Sequence, residues 1–274
     1  MFCQDALYGF EVKSLATIIL SLFLSIACFG QAKQSNAAYL KDTLYPSVGL
    51  LYVQDSEGGM RMRCTVTAIG QKDGVTEFLT AAHCGCTDTP EKKQTSPEKG
   101  VVFYVTGDDP EDKLFEKAEV TGCGYRTKGD DFMFLSVKSK KPFPVVKLGH
   151  DPELLDQVVN VASPLGLGKQ AFVGSVASPK LERPLVEGDI NWTGIVTLQM
   201  FGVNGGSSGS AVICLDQQAI CATVVGSIGG TTMTAMPVSR LKAVRDGIAN
   251  HTYKYWVSDP DAIPVPPVTQ VSKP

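Results

Sequence analysis

Histidine is scarce in this chain, with three residues in 274, and tryptophan scarcer, with two. Charge is also modest: 19% of residues are Asp, Glu, Lys or Arg, the formal net charge is -3, and no basic run stands out. That leaves nucleic-acid binding without electrostatic support. No internal repeat of solenoid length occurs. Helical periodicity is missing before Pro237, which argues against folds that alternate strands with helices. With so few histidines, any proton-transfer chemistry has a short list of candidates: His83, His150 and His251.

What is present, from Tyr45 onward, is a series of short apolar runs rich in Val, Ile, Thr and Phe. They include 47-SVGLLYV-53, 64-CTVTAIG-70, 75-VTEFLTA-81, 132-FMFLSV-137, 211-AVIC-214 and 220-ICATVVGSI-228, with Gly, Pro and Asp between. This is an all-β pattern of roughly a dozen strands, suited to a sandwich or to paired barrels. The stretch 237–256 differs: Leu241, Val244 and Ile248 recur at helical spacing after Pro237, which predicts one amphipathic C-terminal helix. The segment 87–100 is charged and proline-bearing, and reads as a surface insert. The tail 257–274 is proline-rich and reads as extended.

Residues 14–30 are almost wholly apolar, preceded by Lys13 and followed by Gly30-Gln31-Ala32. The pattern predicts a signal peptide over 1–32 and a secreted or periplasmic protein, with a retained N-terminal anchor as the alternative. Beyond it lie six cysteines: Cys64, Cys84, Cys86, Cys123, Cys214 and Cys221. An even number in an exported chain suggests three disulfides, in any of fifteen connectivities.

Asn204-Gly205-Gly206-Ser207-Ser208-Gly209-Ser210 sits between two buried-strand patterns. A glycine-rich loop there can hold a serine nucleophile beside converging backbone N–H groups. His83 ends an apolar run in 79-LTAAHC-84, and Asp130 and Asp131 enter another in 129-GDDFMFLSV-137. For Asp130 the sequence suggests no more than a solvated turn.

The order histidine, aspartate, serine resembles that of the chymotrypsin-like (trypsin-like) serine peptidases. Thr80-Ala81-Ala82-His83-Cys84 is similar to their histidine box, Asp131-Phe132-Met133-Phe134-Leu135 to their aspartate strand, and Gly206-Ser207-Ser208-Gly209-Ser210 to their nucleophile box. Val161-Ala162-Ser163-Pro164-Leu165-Gly166, Phe172-Val173-Gly174-Ser175-Val176 and Ala235-Met236-Pro237-Val238 resemble segments of the bacterial HtrA-like branch, here without a PDZ domain. The resemblance implies a peptidase domain over 45–255: two packed antiparallel six-stranded β-barrels, about 45–140 and 141–236, and a C-terminal α-helix over 237–255. It implies an exported endopeptidase that acts on protein or peptide and needs no cofactor or metal. Ser208 would be the nucleophile, His83 the base and Asp131 its orienting acid, with the N–H groups of Gly206 and Ser208 as oxyanion hole. Substrate would meet Gly202, Val203, Asn204, Ser227, Ile228, Gly229 and Met233.

Gly202 stands where trypsin has an aspartate, so a small or medium apolar residue is expected before the scissile bond. Ser207 stands where trypsin-like zymogens carry the aspartate of their activation salt bridge, so that switch is not expected. Cys64 and Cys84 resemble the family's pair at the histidine loop, a closure worth ~3 kcal/mol in the chain-entropy model. Cys214 and Cys221 flank a hairpin-like hexapeptide, which leaves Cys86 for Cys123. Three rivals remain open: an α/β-hydrolase with Ser207 as nucleophile and Asp216 or Asp246 and His251 behind it, a zinc site drawn from Cys64, His83, Cys84 and Cys86, and a non-catalytic binding module on a peptidase fold.

Overall fold

A computed structural model describes residues 34–107, 115–139, 142–187 and 190–258. The signal-peptide reading over 1–32 and nearly all of the proline-rich tail lie outside them. A short helical run, Asn36–Tyr39, Leu40–Leu44 and Tyr45–Ser47, leads into the strands. These are β1 (Val48–Gln54), β2 (Met60–Lys72), β3 (Val75–Thr80), β4 (Cys86–Thr89), β5 (Gln94–Pro97), β6 (Val102–Thr106), β7 (Glu116–Cys123) and β8 (Met133–Lys138). There follow β9 (Gln157–Ala162), β10 (Gln170–Ser178), β11 (Leu185–Glu187), β12 (Ile190–Trp192), β13 (Val196–Gln199), β14 (Ala211–Cys214), β15 (Ala219–Ile228) and β16 (Thr232–Pro237). Helix α1 spans Val238–Ala249.

Six strands close the first barrel in the order β1-β2-β3-β8-β7-β6, and six close the second as β10-β13-β16-β15-β14-β9, all antiparallel. The two-barrel, all-β architecture with one C-terminal helix is the one the motifs implied. Closure removes the edges that an open sheet would leave.

Apolar strands here are buried on both faces, which is why they read as unbroken runs. In β8, Met133, Leu135 and Val137 fill the first barrel, while Phe134, with Phe132 just before it, faces the layer between the barrels. In β14, Val212 and Cys214 fill the second barrel and Ala211 and Ile213 join that same layer. The shared layer presses the barrels together, so loops from both meet at one seam.

Helix α1 adds Val238, Leu241 and Val244 to this layer. Its start is held by Asp151, which accepts from Ser239 N at 2.8 Å and Ser239 Oγ at 2.6 Å. A carboxylate there suits the exposed N–H groups of a helix N-terminus. The helix ends at Ala249, short of the expected 255. His251 adopts φ +57°, and Thr252 N and Tyr253 N both donate to Gly247 O, at 2.8 and 2.9 Å, turning the chain back. The returning segment pairs with β5: Thr95 N donates to Tyr255 O at 2.8 Å and Val257 N to Thr95 O at 3.1 Å. The expected surface insert over 87–100 is therefore the β4–β5 hairpin, with Thr95 buried under the C-terminal segment.

Three disulfides join Cys64 to Cys84, Cys86 to Cys123 and Cys214 to Cys221, with Cα–Cα distances of 6.1, 6.1 and 5.8 Å. Such bonds suit an extracellular or periplasmic compartment. They also dispose of the zinc reading, because Cys64 and Cys84 are bonded to each other and offer no thiolate.

Candidate active site

His83 sits in the single turn Ala82–Cys84 that follows β3, and Asp131 ends the loop that leads into β8. The hydrogen-bonded neighbours β3 and β8 bring the two together. Asp131 Oδ1 accepts from His83 N at 2.8 Å and Asp131 Oδ2 pairs with His83 Nδ1 at 2.6 Å. The carboxylate is fully buried, a costly position that these bonds offset. Arg126 Nε lies 4.0 Å from Oδ1. With a carboxylate as acceptor, Nδ1 carries the proton, and the Nε2 lone pair is left free to act as a base. The imidazole is 27% exposed, so it is reachable from outside.

Ser208 comes from the second barrel, in the loop between β13 and β14. This loop is docked onto the first barrel beside the histidine turn. Thr65 N donates to Ser208 O at 3.1 Å, Thr65 Oγ1 to Gly206 O at 2.8 Å, and Thr80 Oγ1 to Thr65 O at 2.8 Å. Gly209 rests on Thr80 and Ala81 so closely that a Cβ would fall 2.1 Å from Thr80 Oγ1 and 2.4 Å from Ala81 N. Thr80 is three residues before His83. Among the described residues no hydrogen bond joins Ser208 to His83, and in unliganded sites such bonds often tighten only with substrate.

The backbone of the same loop leaves donors open. Ser207 N, Gly209 N and Ser210 N donate to Asn204 O, Val224 O and Ser207 O, at 2.9, 2.8 and 3.1 Å. The N–H groups of Gly206 and Ser208 donate to no group among the described residues. Gly206 adopts φ +96°, and a Cβ on it would stand 2.5 Å from Ser163 O. Only glycine fits both constraints. Gly206→Ala is therefore expected to turn this peptide away and lower kcat by 10²–10³-fold, about 3–4 kcal/mol of transition-state stabilisation. Steady-state kinetics beside a thermal melt checks this; a loss explained wholly by unfolding would overturn it.

Ser207 is fully buried and its Oγ has no hydrogen-bond partner, so it does not present a nucleophile. Two barrels in place of an α/β sheet remove the α/β-hydrolase reading altogether.

The expected substrate-binding residues do not all gather. Asn204 and Gly202 are exposed, beside the nucleophile loop. A Cβ on Gly202 would meet the Phe172 ring at 2.9 Å, so an acidic side chain has no room at that position. Val203, in the loop after β13, and Met233, on β16, are buried in the second barrel's core. Ser227 and Ile228 are exposed at the end of β15, and Gly229 belongs to the hairpin tip beyond. Along β15, pairing with β14 stops at Thr223, so 225–228 is paired with β16 alone. That open edge can receive an extended peptide. A cavity of about 130 Å³ lies next to it, lined by Leu185, Trp192, Ile195, Val225, Gly226, Ser227 and Thr234. Of the expected pocket residues only Ser227 touches it.

Asp130 is not a solvated turn. It is buried, and its carboxylate accepts from Arg240 Nε at 2.5 Å and from the Tyr253 hydroxyl at 2.8 Å. Both partners lie more than a hundred residues away, so no local pattern marks them. Thr65 likewise carries no signal in the sequence, though it ties the nucleophile loop to the first barrel.

No protein-family model matches the chain, and no curated protein matches it. Among solved structures it is similar to the inactive form of the Rv3671c protease, with 18% identity, a TM-score of 0.56, and coverage of 80% of this chain and 96% of that one. It is similar also to the active form of that protease from M. tuberculosis, with 17% identity, a TM-score of 0.58, and coverage of 87% and 92%. At such identities the likeness is one of fold.

Proposed function

We propose that this chain, which has the fold of the chymotrypsin-like peptidases, is an exported serine endopeptidase. Its motifs are closest to those of the HtrA-like branch. The observation that carries the reading is the pair of hydrogen bonds that buried Asp131 accepts from His83, beside a serine loop with two unspent N–H groups.

Ser208 Oγ attacks the scissile carbonyl of a peptide laid along the 225–228 edge. His83 Nε2 takes the hydroxyl proton and later gives it to the leaving amine. Asp131 holds Nδ1–H and stabilises the imidazolium. The Gly206 and Ser208 N–H groups receive the oxyanion. An acyl-enzyme on Ser208 then reacts with water by the same steps in reverse order. The candidate signal peptide and the three disulfides support export. The loop needs no activating salt bridge at Ser207, in keeping with a domain that folds ready to act.

The test is a fluorophosphonate probe on the full chain, with the adduct mapped by peptide mass spectrometry. An adduct on Ser208 is expected; an adduct on Ser207, or none, overturns the proposal, and none leaves a binding module as the reading. For specificity, a peptide library is expected to show small or medium apolar residues before the cleaved bond, since Phe172 closes off Gly202. Dominant cleavage after Arg or Lys would refute this.

A further inference from the structure

We propose that Asp130, Arg240 and Tyr253 form a clamp that positions Asp131, so that the C-terminal segment controls how well the triad's acid meets His83. This rests on the catalytic reading above. Asp131 is presented by a loop, not by a strand, and the loop must be held for its carboxylate to keep both bonds to His83. Local backbone bonds hold it in part: Gly124 N to Phe132 O at 2.7 Å, Phe132 N to Asp130 O at 3.0 Å and Asp130 N to Tyr125 O at 3.2 Å. Asp88 of β4 holds Thr127, accepting from its N and Oγ1 at 2.9 Å each, and a further grip comes from the C-terminal segment.

Arg240, in the first turn of α1, donates through Nε to Asp130 Oδ1, and through its terminal nitrogens to Lys128 O and, at 3.0 Å, to Thr193 O. The Tyr253 hydroxyl donates to Asp130 Oδ2 at 2.8 Å and accepts from Tyr125 N at 2.8 Å. The loop is thus gripped at Tyr125, Lys128 and both oxygens of Asp130.

Adjacent residues present their carboxylates to opposite partners, Asp131 to His83 and Asp130 to the clamp. A buried carboxylate stripped of its partners moves toward water. Asp130 cannot do so without dragging the next residue with it. The clamp itself is fixed. Tyr255 stacks on Tyr125 with ring centroids 5.0 Å apart and meets Tyr253 edge-on at 5.5 Å, and Tyr255 and Val257 are bonded to Thr95. Burial, and then the Asp130 charge, push the Tyr253 phenol well above its ordinary range, so it stays a donor. These three are positioning residues; among the described residues none hydrogen-bonds His83.

A purely structural role for α1 has its own marker. Arg245 pairs with Glu77 of β3 and docks the same helix on the first barrel, and among the described residues it makes no hydrogen bond to the 124–131 loop. Three variants of the full chain separate the roles: Tyr253→Phe, Arg240→Gln and Arg245→Gln. Each is read by fluorophosphonate labelling rate, by melting temperature, and by proton NMR of the low-field His83 Nδ1–H resonance.

Tyr253→Phe and Arg240→Gln are expected to slow labelling about tenfold or more, as small misplacements near the chemistry do. They should also broaden or erase the low-field resonance. Arg245→Gln should lower the melting temperature and leave the other readouts alone. If the clamp variants behave like Arg245→Gln, the proposal is overturned. Should Arg240→Gln fail to fold, Tyr253→Phe, which removes one oxygen, carries the test. A parent chain that does not label sinks the peptidase reading instead, while the resonance still reports whether the clamp holds the His83–Asp131 bond.

Discussion

Ser208→Ala is expected to lower kcat by about 10⁶-fold, the size of loss seen when a triad nucleophile is deleted. The same change should abolish labelling by fluorophosphonate. Ser207→Ala should leave labelling within about tenfold of the parent, because the Ser207 hydroxyl is buried and makes no hydrogen bond that would be lost. The contrast matters because the two serines are neighbours in a loop where sequence alone lets either be the attacker. Their backbones differ in task. Ser207 N is spent on Asn204 O, whereas the Ser208 N–H is open beside its own side chain. Labelling that survives Ser208→Ala would sink the assignment.

Asp131→Asn is expected to lower kcat by on the order of 10⁴-fold with little change in KM. The carboxylate serves two donors, the His83 backbone N–H on Oδ1 and the ring Nδ1–H on Oδ2. An amide offers one acceptor oxygen and one NH₂ group. The backbone N–H cannot change its role, so it keeps the oxygen and leaves NH₂ facing the ring. The imidazole then adapts by moving its proton to Nε2, the nitrogen that must accept from Ser208. The lesion is one of tautomer, with the fold kept. Kinetics of the purified variant, with a melting curve to show it is folded, check this; a drop smaller than about tenfold would mean that Asp131 does not orient the base.

The candidate residues stand out in the sequence because each lies in a short local motif: His83 at the end of 79-LTAAHC-84, Asp131 at the mouth of a strand, Ser208 in a glycine loop. The strands were legible because burial on both faces leaves continuous apolar runs; their closure into two barrels came from the family resemblance, since the runs alone suit a sandwich equally. The clamp on Asp130 was not legible, since its meaning depends on Arg240 and Tyr253, which approach only when α1 crosses back. The helix end was misread because Tyr253, Tyr255 and Trp256 extend an apolar pattern past the point where His251 turns the chain. Val203 and Met233 were placed at the substrate pocket by the family resemblance, and both side chains are buried in the second barrel's core.

The return of the chain onto Thr95 bears on biosynthesis. Residues 238–258 are the last of the described fold to leave a ribosome, yet they carry the Arg245–Glu77 pair, the grip on Asp130 and the bridge to β5. A nascent chain that stops short of them contains the sequence of both barrels, with His83, Asp131 and Ser208. It lacks the strap that runs from the last strand of the second barrel back across the seam to the first. The loop that carries Asp131 then lacks its contacts to Arg240 and Tyr253. On the proposed reading, the site takes its final form only when the last turns of the chain arrive.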